Sequence, residues 1–300
     1  MLKMTLIASI SDDKTCRIWD VDTGECLKVL EGHTSKVTCV SFNYDNTKII
    51  TGSYDKKCKI WDVDTCECLY TLIGHTEGIT SVCFSPDNTK IITGSFDKTC
   101  KIWSSEYELL NTILVDTSIH IVLFNYDSTK ILISKFNEIE IYSDDGIFLL
   151  NKITIYKGQF CKVSFIPNED KIIGLTSDLF LKIWDICTGE KLISYKIISS
   201  DIRFSGISNN SDVLAVPRLK NLIKICFLNS EKIYHFDNLE INEDCLTVIS
   251  LSSDLICIGT SNNVIKIIDL KTHELLHVLK GHTGCITGII FSYAEFGSYI

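Results

Sequence analysis

Proline is nearly absent, with three in 300 residues, while isoleucine is heavily used, a bias that suits extended strands. Positive charge is in deficit as well, since 29 lysines and arginines face 38 acidic residues for a net charge of −9. A nucleic-acid backbone or an anionic membrane calls for clustered positive charge, so neither is expected as a main partner. No run of about 18 apolar residues occurs, so no transmembrane helix is expected. The opening residues, MLKMTLIASISDDK, hold one short apolar run cut by acids, a poor match to a secretory signal. Cysteine is plentiful, at 14, but no two are spaced as CxxC. Several cysteines fall at one fixed repeat position, which is how small apolar packing residues behave in a reducing compartment. A cytoplasmic or nuclear setting is therefore the expectation.

What the sequence does contain is a repeat. Trp19, Trp61 and Trp103 stand 42 residues apart, and the next matching slots are Tyr142, Trp184, Cys226 and Ile268, at steps of 39, 42, 42 and 42. Strands ending at Phe42, Phe84 and Phe165 lie nineteen residues before their slots. Polar clusters at 43–48, 85–90, 125–130 and 167–171 read as turns, because Asn, Asp and Ser side chains bond local backbone and accept unusual φ. Seven apolar runs after the slots, from TGECLKVL to THELLHVL, read as outer strands. Gly32-His33, Gly74-His75 and Gly281-His282 open copies; Trp19-Asp20 and Trp61-Asp62 close them. A period of about 40–45 residues with these marks signals a propeller blade. The chain begins with three strands of a blade and ends after one first strand, CITGIIFS, so the two ends together supply one complete blade. Such closure removes exposed strand edges. The terminal AEFGSYI departs from the repeat.

On these residues the chain resembles the WD40-repeat β-propeller family. The resemblance implies an all-β, seven-bladed propeller occupying 1–300 as one domain, with its closing blade shared between the termini. Repeats are clear at about 1–103 and 277–292 and degenerate at about 104–276. In the family a histidine, a serine or threonine of the second strand, a turn aspartate and the tryptophan form one hydrogen-bonded set. Matched here, the sets are His33, Ser53, Asp55 and Trp61; His75, Ser95, Asp97 and Trp103; and His282 with Ser11, Asp13 and Trp19. Their role is structural, because a satisfied buried network fixes three strands relative to one another. Around Trp184 the set keeps Thr176 and Asp178, but Tyr156 falls near the histidine slot. The copies ending at Cys226 and Ile268 offer Arg218/Lys220 and Thr260/Asn262 in its place.

Two motifs suggest metal chemistry, and both have a simpler reading. His273-Glu274-Leu275-Leu276-His277 matches HExxH, which needs both histidines on one helical face. Here it fills an outer-strand slot, where residues four apart lie about 13 Å from each other and cannot share one zinc. Cys66 and Cys68 form a lone CxC with no second pair. No catalytic residue, metal or cofactor is therefore expected. The basic residue two before the slot, Arg17, Lys59, Lys101, Lys182, Lys224 and Lys266, recurs as part of the blade lattice.

Propellers of this kind use the rim of the top face and the channel mouth for partners. The candidate partner-binding residues there are Asp12, Lys36, Tyr54, Glu77 and Phe96. The leading expectation is a non-catalytic protein–protein interaction scaffold that binds a peptide or protein on this face. One alternative is a substrate-recognition subunit of a ubiquitin ligase or other multiprotein complex. The adaptor-binding arginine two residues after Trp-Asp is absent, however, Asp22 and Asp64 standing there. The other alternative is an enzyme using the central channel, for which no converging acids, bases or ligands are found.

Overall fold

The computed structural model describes residues 5–196, 252, 254–260 and 262–293, and beyond these the strand backbone of 206–207, 213–219, 222–229, 232–240 and 246–251. Its 28 strands form seven four-stranded antiparallel sheets, with no helix among the described residues. The first sheet takes Ile286–Phe291 as its inner strand and adds Leu6–Ser11, Cys16–Asp20 and Cys26–Leu30 outward. The second runs Val37–Phe42, Lys48–Ser53, Cys58–Asp62 and Cys68–Leu72, and the third Ile79–Phe84, Lys90–Ser95, Thr99–Ser104 and Leu109–Leu114. Ile121–Phe124, Lys130–Ser134, Glu138–Ser143 and Leu149–Thr154 form the fourth; Phe160–Phe165, Lys171–Thr176, Phe180–Asp185 and Lys191–Lys196 form the fifth. The sixth is Gly206–Ile207, Val213–Leu219, Leu222–Asn229 and Lys232–Glu240, and the seventh Leu246–Leu251, Leu255–Thr260, Val264–Asp269 and Leu275–Lys280. Inner strands of successive sheets touch in order, and Leu246–Leu251 returns to touch Ile286–Phe291.

Burial follows from this arrangement. A second strand such as LIASIS or KIITGS is buried along almost its whole length, because a neighbouring sheet covers each face. An outer strand such as CLKVL is exposed at four of five positions. The apolar core accordingly lies between sheets. Ile10, Ile18 and Leu30 of the first meet Val37, Phe42, Ile49 and Trp61 of the second, and the pattern repeats from sheet to sheet. Cys16, Cys58 and Cys100 are packed into these layers, and burial pushes the Cys100 thiol up to about 12. Such thiols stay protonated and serve as small apolar groups.

Turns fall where the polar clusters predict them, and many of them hold one left-handed residue. Asn46, Asn88 and Asn168 hold it between first and second strands, and Lys14, Lys56 and Lys98 between second and third. Between third and fourth strands the slot is Gly24, Gly146 or Gly189, but also Cys66, Tyr107 and His273. Both candidate metal motifs thus straddle a turn. His273 sits at φ 61° in the turn, whereas His277 lies in Leu275–Lys280 and its Nε2 bonds the Asp22 carbonyl at 3.0 Å.

Candidate interaction site

Three sheets carry a buried relay that begins at the tryptophan. Trp61 Nε1 donates to Thr51 Oγ1 at 2.8 Å, the Thr51 hydroxyl reaches His33 Nε2 at 2.8 Å, and His33 Nδ1 meets Asp55 Oδ2 at 2.8 Å. An indole N–H can only donate, so the hydroxyl accepts there and gives its own proton to Nε2. Nδ1–H is then left to donate to the carboxylate. Trp103, Thr93, His75 and Asp97 repeat the relay at 3.0, 2.8 and 2.9 Å. Trp19, Ser9, His282 and Asp13 do so at 2.8 Å in each step, joining residues from both ends of the sequence. Burial pushes the His75 and His282 pKa values down, against the pull of their aspartates, which favours the neutral ring. Partial burial opposes ionisation of Asp13, but hydrogen bonds from Thr15, the Thr283 amide and His282 outweigh it and hold the carboxyl at about 2.

The hydroxyl of each relay is not the serine expected from the sequence. Ser53, Ser95 and Ser11 lie two residues further along, at the strand end. Ser53 Oγ instead donates to the Lys36 carbonyl at 2.8 Å and accepts from the Asp55 amide at 3.1 Å; Ser95 does the same with Gly78 and Asp97. Ser11 accepts from the Asp13 amide at 3.1 Å. The reason is register. Trp61 pairs with Ile49, so its ring leans onto the diagonal neighbour Thr51 and cannot reach Ser53. Thr51→Val keeps the shape but orphans one buried donor and one acceptor, so we expect a loss of about 2–4 kcal/mol in urea unfolding. Thr51→Ser, which keeps the hydroxyl, should lose less than half as much; equal losses would show that the hydroxyl does not matter.

The degenerate sheets solve the same problem differently. In the fourth, Lys135 is buried at 2% side-chain exposure and pairs with Asp116. Lys135 Nζ bonds Asp116 Oδ1 at 2.7 Å and Glu140 Oε1 at 2.9 Å and contacts Glu138, while Tyr142 OH donates to Glu140 Oε2 at 3.1 Å. Lys152 adds a second cation, 2.7 Å from Glu138 Oε2. Sequence reasoning missed this network, although it had a signal: Glu140 stands two before the slot, where other copies carry Lys or Arg. In the fifth sheet Lys182 Nζ pairs with Asp178 at 3.1 Å, and Tyr156 is 98% exposed and takes no part. Gly174 replaces the relay hydroxyl there, and Trp184 instead packs edge-on to Phe160, with ring centroids 5.6 Å apart. Thr260 Oγ1 turns to the Val264 carbonyl at 3.0 Å. The side chains of Arg218, Lys220 and Cys226 lie outside the described residues.

The loops entering the inner strands and the second-to-third-strand turns share one face, here called the top. Backbone bonds join them in each copy: Asp12 N to Cys285 O, Tyr54 N to Lys36 O and Phe96 N to Gly78 O. Tyr54 and Phe96 belong to adjacent sheets and stack with centroids 5.7 Å apart and planes 27° off parallel. They remain 40% and 38% exposed. Lys36 Nζ lies 4.5 Å from the Tyr54 ring centroid, within cation–π range. Gly78 is needed beneath them, because a Cβ there would come within 2.8 Å of Tyr54 Cδ1. Asp12 and Glu77 are exposed and are not drawn into this stack. Phe136, 55% exposed, continues the aromatic arc and meets His120 edge-on at 6.5 Å. Neither residue was singled out from the sequence, since the fourth copy had lost its Gly-His mark.

A family model described as "WD domain, G-beta repeat" matches residues 24–62 and 66–104. Each match starts before an outer strand and runs through the next sheet's third strand. Among curated proteins, "Nuclear distribution protein PAC1" of Coccidioides posadasii is 47% identical over 47 residues, 16% of this chain and 10% of that protein. "Nuclear distribution protein nudF" of Aspergillus niger is 43% identical over 47 residues, 16% of this chain and 11% of the relative. "Guanine nucleotide-binding protein subunit beta-like protein" of Encephalitozoon cuniculi is 42% identical over 48 residues, 16% of this chain and 14% of the relative. The aligned segment thus spans only about a tenth of these relatives' lengths. Residues 24–62 and 66–104 thus resemble WD repeats, and they sit in an all-β architecture of four-stranded antiparallel sheets that is consistent with a WD40 β-propeller.

Proposed function

We propose that the chain is a non-catalytic interaction scaffold that binds a protein or peptide partner on its top face. The observation that carries this reading is the exposed Tyr54–Phe96 stack with Lys36 over one ring. Two half-exposed aromatics of neighbouring sheets offer a rigid apolar platform at little entropic cost, the usual core of a binding hot spot. The His, Asp and hydroxyl groups that could suggest catalysis bond to one another or to backbone and hold strands in place. WD repeats shared with proteins named for nuclear distribution and with a G-protein β-like protein support membership in a multiprotein assembly. A cytoplasmic or nuclear setting belongs to the same proposal, in keeping with the free thiols of Cys26, Cys68, Cys187 and Cys285.

The test is affinity capture from the native host, comparing wild type with Tyr54→Ala plus Phe96→Ala. We expect the variant to lose its main partners while its melting temperature stays within a few degrees, because both rings are half in solvent. An unchanged partner list would remove this stack from the site.

A further inference from the structure

Among the described residues every outer strand leaves one edge unpaired, and the edge of the fourth sheet is less guarded than the rest. The turn before each outer strand closes with a backbone bond to the carbonyl of one residue. That residue is Glu25, Glu67, Glu108, Glu190 and Glu274 in five sheets, but Phe148 in the fourth. Phe148 and the preceding Ile147 are 64% and 65% exposed, and Leu149 and Leu150 extend the run at 49% each. An edge lysine often keeps such a strand from pairing. The lysine of this strand, Lys152, is instead held on its own sheet by Glu138 Oε2 at 2.7 Å.

The backbone of this edge is also ready to pair. Ile155 N donates inward, to Asn137 O. Bonded and non-bonded positions alternate along an antiparallel strand, so Ile153 and Asn151 also direct their backbone groups inward. Those of Leu150, Lys152 and Thr154 then point out of the sheet, where no described strand meets them. Two copies of one strand, paired antiparallel about a two-fold axis, must centre on a residue that faces its own copy. Centred on Asn151, Leu150 of one copy meets Lys152 of the other, outward groups against outward groups, and Leu149 meets Ile153. The two ends of the strand carry opposite charge, with exposed Asp145 before it and exposed Lys157 after it. In the same register Asp145 of each copy falls opposite Lys157 of the other. The outer strand of the third sheet is also apolar, at Leu109, Leu110 and Leu114, but Glu108 and Asp116 stand at its two ends. Self-pairing there would set acid against acid.

We propose that two copies of the chain associate edge to edge through Leu149–Thr154, making one eight-stranded antiparallel sheet across a two-fold axis. This pairing does not depend on the top-face reading. It turns one copy upside down relative to the other, so the two top faces point opposite ways and both stay open. The net charge of −9 on each chain opposes association. Screening at physiological salt confines that repulsion to about 8 Å, the range over which this contact is apolar or oppositely charged.

The test is sedimentation velocity of the intact chain at physiological salt, from about 1 to 100 μM. We expect a concentration-dependent monomer–dimer equilibrium. Phe148→Glu plus Leu150→Lys, the first of which restores the residue of the other sheets, should weaken the dimer about 10-fold or more. Its melting temperature should stay within a few degrees of wild type, because both side chains are largely in solvent. Asp145→Lys alone and Lys157→Glu alone should each weaken the dimer roughly 10-fold, since each creates two like-charge contacts. Mixing these two variants should give a heterodimer of near wild-type affinity, because every contact is again between opposite charges. Combining both changes in one chain should likewise restore the homodimer. A dimer untouched by Phe148→Glu plus Leu150→Lys, or one that does not recover on mixing, overturns this pairing. Loss of the dimer in Tyr54→Ala plus Phe96→Ala would move self-association to the top rim and overturn it too. A monomer across the whole range overturns it as well; if Phe148→Glu plus Leu150→Lys then loses a captured protein, the edge serves a different chain.

Discussion

Removing residues 280–300 is expected to abolish the single cooperative unfolding transition. The deletion takes away Ile286–Phe291, the inner strand of the first sheet, and leaves the Leu6–Ser11 edge unpaired. Ile286, Ile289 and Phe291 leave a core they share with Trp19, Cys257 and Ile265. At about 1.5–3 kcal/mol per large apolar side chain, that loss alone is on the order of 5–9 kcal/mol. His282 goes as well, orphaning Ser9 and Asp13, and so does the Thr287 bond to the Val37 carbonyl. Because a domain of this kind is stable by only about 5–15 kcal/mol, the truncation uses up most of the margin. An opened ring becomes a linear array in which each sheet depends on its neighbours alone, and such arrays melt in stages. Thermal unfolding followed by circular dichroism should show a broad, lowered, multiphasic curve. One sharp transition near the intact melting temperature would mean that the first and seventh sheets are not a closure. His282→Ala, which keeps the strand, should lower the midpoint and leave one transition.

Much of this was legible in the sequence, because a repeat states its architecture several times. The tryptophan ruler placed seven third strands, and the Gly-His marks placed the entries to three inner strands. The errors arose where local spacing carries less information. Ser53 and Thr51 share a face of one strand, and only the cross-strand register of Trp61 decides which hydroxyl the indole meets. The fourth sheet was opaque for another reason: its buried set changed chemistry altogether, from His, Asp and Thr to Lys135, Glu138 and Glu140. A search by residue type misses that change, although the inverted charge at Glu140 marks it. Phe136 and His120 were missed because their copy lacks the dipeptide that locates the top loop.

The fourth sheet yields the other large effect: Lys135→Ala should destabilise the protein by about 3–5 kcal/mol at pH 7, the cost of breaking a buried ion network on one side. Asp116, 70% exposed, can turn to water, but the side chains of Glu138 and Glu140 are only 14% and 9% exposed and would face each other without their shared cation. Lys152, itself 45% exposed, neutralises only part of that charge. The pH dependence follows from the same geometry. In the intact protein burial opposes ionisation of Glu138, yet Lys135 and Lys152 outweigh it and lower its pKa. Its contribution is therefore present above the unfolded carboxylate range and lost as pH falls through the folded value. Without Lys135 that stabilisation is lost and the Glu138 and Glu140 carboxylates repel each other, so protonation relieves the variant as pH drops. The stability gap between wild type and Lys135→Ala should thus be widest near neutrality and close toward pH 4, measured in urea so that denaturant salt does not screen the charges. Removing the charges together, as Lys135→Met with Glu140→Leu, should cost less than Lys135→Ala, since it leaves a single buried carboxylate with Lys152 beside it. A gap under 1 kcal/mol that does not change with pH would instead place Lys135 among solvent-screened surface pairs, and the fourth sheet would then be held by its isoleucines alone.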